Sequence, residues 1–204
     1  MSGGDALDGV AEDAVERAIA ALRAGEAIVV PTDTVYGLAA VPTVSGAVDR
    51  LYALKGRPAE MPIAVLVAGI EQVEALAELS DAAWRLADAF WPGPLTLVLP
   101  RRPGLALPLG GSDATIGVRW PDHPLIGRLA AAVGPLATTS ANRTGESTPA
   151  TAAEAAASLV GPVGAVLDGG ACAGTASTVV DVTGSDLRVL REGELTEDRL
   201  RAAL

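Results

Sequence analysis

Short apolar runs recur along this chain, separated by stretches whose apolar residues fall at helical spacing. The runs lie at 27–30, 63–67, 95–99, 114–120, 136–142, 164–168, 177–182 and 187–190. Runs of this length bounded by Gly, Pro, Asn and Asp read as strands. Between them, Val15, Ala18, Ile19 and Leu22 mark one helix face, closed by Gly25. Val48, Leu51 and Tyr52 mark a second helix, with Ser45 as its expected cap. That helix breaks at Gly56 and Pro58. Val73 and Leu76 suggest a short helix, and Ser80 begins another with Trp84, Ala87 and Trp91 expected inward. Leu125, Ile126, Leu129 and Val133 form a further face. Thr151 and Glu154 have capping-box spacing, and Thr196 is the expected cap of a last helix. Strands and helices intermix with no linker and no repeat. The expectation is one α/β domain over residues 1–204, a large twisted mixed sheet flanked by helices.

Composition narrows the core and the function. Half the residues are hydrophobic, but only 3% are aromatic, so Ala, Val and Leu must fill the interior. The formal charge is −10, which disfavours a protein that coats nucleic acid through its net field. No run reaches the length of a membrane span. The opening residues MSGGDALDG show no basic segment followed by an apolar one, so the expected location is cytoplasmic. Cys172 is the only cysteine and His123 the only histidine, which excludes an internal disulfide and a Cys/His zinc cage. Fifteen cationic residues include a single lysine, Lys55. Ammonium and guanidinium are not equivalent at a tight site, so that position invites attention.

Polar residues gather in the breaks between elements: PTDTVYGL (31–38), LKGRP (54–58), RWP (119–121), TTSANRTG (138–145), STVVD (177–181) and LREGE (190–194). Loops at sheet ends are where α/β proteins build ligand sites. Taken singly, each has an ordinary explanation. Lys55 and Arg57 suit a helix C-terminus. Ser140 and Asn142 suit a turn. Arg191 suits a surface strand, and Asp33 suits a backbone-bonded turn. Taken together they supply cations, hydroxyls and amides without paired carboxylates. That set fits a polyphosphate held electrostatically. There is no GxxxxGK[ST] loop. His123 reads as a residue near a helix start. Cys172, without a nearby His or Asn, does not read as a nucleophile. Trp84, Phe90 and Trp91 read as core.

In this order the segments PTDTVYGL, LKGRP, FWPGPLTLVL, GVRWPDHP, TTSANRTGESTPAT, STVVDV and LREGE resemble the YrdC-like threonylcarbamoyl-AMP synthases, over about 27–194. The family's Lys-x-Arg and Ser-x-Asn pairs correspond to Lys55, Arg57, Ser140 and Asn142. The resemblance implies a single α/β domain of the short branch. It implies a nucleotidyltransferase that makes threonylcarbamoyl-AMP and pyrophosphate from ATP (with Mg2+), L-threonine and bicarbonate. The product would pass to proteins that complete a tRNA adenosine modification. The resemblance assigns Thr34, Arg119, Thr138 and Ser177 to threonine. It assigns Arg57, Met61, Thr115, Ser140, Thr148 and Arg191 to ATP, and Lys55, Arg57, Ser140 and Asn142 to catalysis, with no protein metal site. Several relatives carry Asn and His where this chain has Met61 and Leu66, so Met61 offers only its backbone there. Two other readings stand beside it: a paralogue that binds nucleotide, double-stranded RNA or tRNA with a different or lost substrate, and a carbamoyl-transfer domain of the hydrogenase-maturation kind. The negative charge weakens direct tRNA binding, and the chain has neither the length nor the cysteines of the latter.

Overall fold

The computed structural model describes residues 10–172 and 174–204. The opening segment read above for an export signal lies outside them, apart from its continuation at Val10. Nine strands form one mixed sheet, in the order β7-β1-β2-β6-β3-β5-β4-β8-β9. The strands are β1 (Ile28–Val30), β2 (Gly37–Ala40), β3 (Ala64–Leu66), β4 (Leu95–Pro100), β5 (Thr115–Arg119), β6 (Leu136–Ser140), β7 (Ala165–Val166), β8 (Thr178–Asp181) and β9 (Arg188–Arg191). The helices are α1 (Glu12–Arg23), α2 (Ala47–Lys55), α3 (Ile70–Leu76), α4 (Asp81–Phe90), α5 (Pro124–Val133), α6 (Ala152–Ser158) and α7 (Glu197–Arg201). The expected large mixed α/β sheet is therefore present.

Side chains alternate across a strand, so the sheet has two faces with different fates. On one face Leu38, Val65, Leu97, Leu99, Val118 and Ala137 are fully buried, packed with residues of α2, α3, α4, α6 and α7. The opposite face is divided. At its β1–β2 end, Ile28, Val30, Ala39 and Val41 pack with Leu66 and Leu136 against α1 and α5. Further along, from β6 to β8, no helix among the described residues covers it. There the positions facing the open side are Ala64, Thr96, Val98, Gly117, Thr138 and Asp181. Small and hydroxylated residues replace the aliphatic ones, and this leaves a hollow.

Most of the expected elements occur, with informative differences. Val15, Ala18, Ile19 and Leu22 are the buried face of α1. Ser80 caps α4 by accepting from Ala83 N, and Thr151 with Glu154 closes the capping box of α6. Ser45 does not cap α2: Gly46, with φ of 75°, holds the N-cap position and makes no side-chain bond. Thr196 occupies the N-cap of α7, also without a side-chain bond. Trp84 is not inward. It is 40% exposed, because Ala83, Leu86 and Ala87 form the buried stripe of α4. Phe90 is only half-buried, with the Arg199 guanidinium 5.9 Å from its ring centre. Strand β2 was not expected. Among the described residues no helix is long and apolar enough to cross a membrane.

Candidate functional site

The hollow is a cavity of about 670 Å³. Its floor is the uncovered sheet face. Its walls are the 31–36 turn, the segment after α2, the 101–114 loop, and the strand ends carrying Ser177 and Arg191. Among the described residues four arginines line it (Arg57, Arg101, Arg119 and Arg191), against one carboxylate, Asp181. Asp181 is itself held by Arg188 at 2.7 Å and by Thr183. A chain of net charge −10 thus gathers positive charge at one place.

The turn after β1 is built by its own hydroxyls. Thr32 Oγ1 accepts from the Thr34 and Val35 backbone N–H groups and donates to Val35 O at 2.7 Å. This holds Thr34 fully buried at the cavity edge. Arg119, the last residue of β5, reaches across to it. Nη1 donates to Thr34 Oγ1 at 2.8 Å, Nη2 to Asp33 Oδ1 at 2.6 Å and Nε to Gly93 O at 3.0 Å. Burial lowers the Arg119 pKa, partly offset by Asp33. Asp33 therefore pairs with Arg119, while the turn's own backbone is bonded by Thr32, a correction to the expected backbone-bonded role of Asp33. Tyr36 is fully buried and donates to Gly170 O at 2.6 Å, pinning the 168–172 loop behind the turn.

The other wall begins where α2 stops. Gly56 takes a left-handed conformation (φ 61°) at the C-cap, which turns the chain so that Lys55 and Arg57 point to different places. Arg57 lines the cavity, with Nη2 donating to Pro62 O at 2.9 Å. Its Nε is buried without a partner among the described residues. Lys55 does not line the cavity. It is 3% exposed, and its Nζ sits among Ser140 O (2.6 Å), Asn142 O (2.8 Å), Asn142 Oδ1 (2.9 Å) and Ser140 Oγ (3.2 Å). Burial, then the Arg57 charge, push Lys55 down to about 8. Its own carbonyl accepts from Thr144 N at 3.1 Å. The Lys-x-Arg and Ser-x-Asn segments are thus one clamp, with Ser140 on the cavity side and Lys55 and Asn142 behind it.

Arg191 ends β9 and grips the neighbouring strand end. Nη2 donates to Ser177 O at 2.8 Å and Ser177 Oγ at 3.1 Å. Burial lowers its pKa, as do the charges of Arg119 and Arg57. Ser177 also meets Thr96 Oγ1 at 2.9 Å. Met61 lines the cavity and is 41% exposed; its carbonyl lies 2.8 Å from the Tyr52 hydroxyl. Leu66 lines the cavity where the sheet meets the α1/α5 core.

Of the residues that the resemblance assigns to threonine, ATP or catalysis, all line this cavity except Lys55 and Asn142. Sequence reading missed Thr96, Arg101 and Asp181, which also line it. Thr96 and Asp181 were findable by strand alternation, since each shares the cavity face with Val98 or Val179. His123 stands at the N-cap of α5, away from the cavity lining. Cys172 is half-buried, its thiol pushed up by burial, which does not suit a nucleophile.

The family model for Sua5/YciO/YrdC, described as telomere recombination, matches residues 20–193. The chain belongs to the Sua5/YciO/YrdC family. A Mycobacterium tuberculosis protein is 41% identical over 189 residues, covering 92% of this chain and 87% of its own. The threonylcarbamoyl-AMP synthase of Pyrococcus abyssi is 38% identical over 186 residues, covering 90% of this chain. This chain spans only 55% of that protein's length. The crystal structure of Pyrococcus abyssi Sua5 complexed with L-threonine superposes with a TM-score of 0.88 at 37% identity, covering 93% of this chain and 57% of that one.

Proposed function

We propose that this chain is a threonylcarbamoyl-AMP synthase, a nucleotidyltransferase acting on ATP, L-threonine and bicarbonate. The observation that carries the reading is one cavity lined by four arginines, with a buried Thr34–Arg119 pair at one wall and Arg57 and Ser140, the latter held from behind by Lys55, at another. Arg119, Thr34, Thr138 and Ser177 take the amino acid, with Arg119 paired to its carboxylate. Arg57, Thr115, Ser140, Thr148, Arg191 and the backbone at Met61 take the nucleotide, supplied as its Mg2+ complex.

The threonine amine adds to bicarbonate, releasing water and leaving a carbamate. A carbamate oxygen attacks the α-phosphorus, and the bond to pyrophosphate breaks. No protein nucleophile is required. The enzyme's task is to hold two mutually repelling anions in line and to stabilise charge on the departing pyrophosphate. Guanidinium groups in a partly dry cavity do both, because they keep their charge under desolvation. Lys55 and Asn142 act one layer back, holding Ser140 in place.

The test is pyrophosphate release by purified protein, with each substrate omitted in turn. The proposal predicts release that needs both threonine and bicarbonate. Release indifferent to threonine contradicts it and favours a paralogue with another substrate.

A further inference from the structure

Arg101 follows β4 directly, and sequence reading did not single it out. Its side chain is 3% exposed and lines the cavity beside Thr115 and Ser112. Two carbonyls partly satisfy it: Nε donates to Thr115 O at 3.3 Å and Nη1 to Leu107 O at 3.2 Å. The carboxylate it meets is Asp113, 3.4 Å away, whose own side chain is fully exposed at 100%. A pair that long, with one partner in water, neutralises little. Nη2 makes no hydrogen bond to any described residue.

A guanidinium does not escape burial by losing its proton. Burying it without a matched anion is unfavourable, unless the anion arrives with a ligand. Arg57, Arg119 and Arg191 each have a stated place in the proposed site; Arg101 is the fourth cation of the same cavity and has none. We propose that Arg101 binds the phosphate chain of the nucleotide, extending the anion site to the Thr115 end of β5. This rests on the nucleotide reading above. The rival role is purely architectural: through Leu107 O, Arg101 braces the loop that supplies Leu109, Gly110 and Ser112 to the wall.

The two roles separate by ligand. Calorimetric titrations of wild type, Arg101→Gln and Asp113→Asn would use inorganic pyrophosphate, Mg-ATP and adenosine. Phosphate binding by Arg101 predicts that Arg101→Gln weakens pyrophosphate and ATP about 10- to 100-fold, with adenosine changed less than about twofold. Asp113→Asn neutralises a fully exposed side chain without changing its shape and so keeps the fold if Arg101→Gln does not. It should tighten pyrophosphate about two- to threefold by relieving the weak competing pair. Equal loss for all three ligands, or no loss for any, overturns the proposal in favour of bracing. Unchanged pyrophosphate affinity in Asp113→Asn also counts against it. Wild-type protein that binds neither ATP nor pyrophosphate sinks the nucleotide reading and this inference together. Wild-type binding with an unaltered Arg101→Gln sinks this inference alone.

Discussion

The ammonium of Lys55 lies 2.9 Å from Asn142 Oδ1 and 2.6 Å from the carbonyl of Ser140. One buried cation thus fixes both ends of the Ser-x-Asn segment, while Ser140 itself faces the cavity. Replacing Lys55 with Ala removes the donor shared by these oxygens. Unmet buried acceptors cost about 1–3 kcal/mol. We expect Lys55→Ala to lose that much stability in urea denaturation, still folded, and to drop kcat by at least about 100-fold, the scale seen when reacting groups shift by about 1 Å. Normal turnover would remove Lys55 from the mechanism.

The pH dependence should split activity from stability. Lys55 sits at about 8 in the folded chain, below the ordinary lysine value. Between those two values the unfolded chain binds more protons, so this group makes stability rise with pH. Activity should move the other way. As pH climbs through about 8 the amine loses a donor proton from its oxygen cage, and kcat should fall. Parallel pH profiles of kcat and of the urea midpoint check this; a flat kcat from below to above pH 8 would contradict it.

Arg119 makes three directed bonds, to Thr34, Asp33 and Gly93. A lysine offers no planar fork to reproduce them. Arg119→Lys should raise the threonine KM about 10-fold or more, in line with a lost charge-assisted bond, and leave the ATP KM within about twofold. Steady-state kinetics with each substrate varied separate the two. An ATP effect as large as the threonine effect would misplace Arg119.

The missing side chain at Gly37 leaves room for Thr138. A Cβ there would lie 2.9 Å from Thr138 Cγ2, across the β2–β6 ladder. Gly37→Ala should displace Thr138, costing about 1–3 kcal/mol of overpacking and raising the threonine KM more than the ATP KM. An unchanged threonine KM would show that Thr138 is not part of that pocket.

Much of this was legible in the sequence for physical reasons. The α1 stripe and the Thr151–Glu154 capping box are local patterns with one structural solution. The polar motifs marked strand ends because buried runs must stop where hydroxyls and cations begin. What escaped depends on contacts distant in sequence. Strand β2 is GLAA, poor in strand-favouring residues, and it forms because β1 and β6 pair with it on both sides. Trp84 fits the helical period, yet Ala83, Leu86 and Ala87 win the buried face. Nothing local marks Arg101 as buried, since its partners are the carbonyls of Leu107, in a loop without regular structure, and of Thr115, at the start of β5. That Lys55 sits behind the cavity and Arg57 in it follows from one left-handed glycine at the end of α2.

The central claim is best tested by the identity of the product. Purified protein would be incubated with Mg-ATP, L-threonine and 13C-bicarbonate, and the nucleotides resolved promptly by mass spectrometry. The account predicts a threonylcarbamoyl-adenylate that carries the carbon label, formed with pyrophosphate and absent when threonine is omitted. An adenylate without the label, or no nucleotide product beyond ATP and its hydrolysis products, would contradict it.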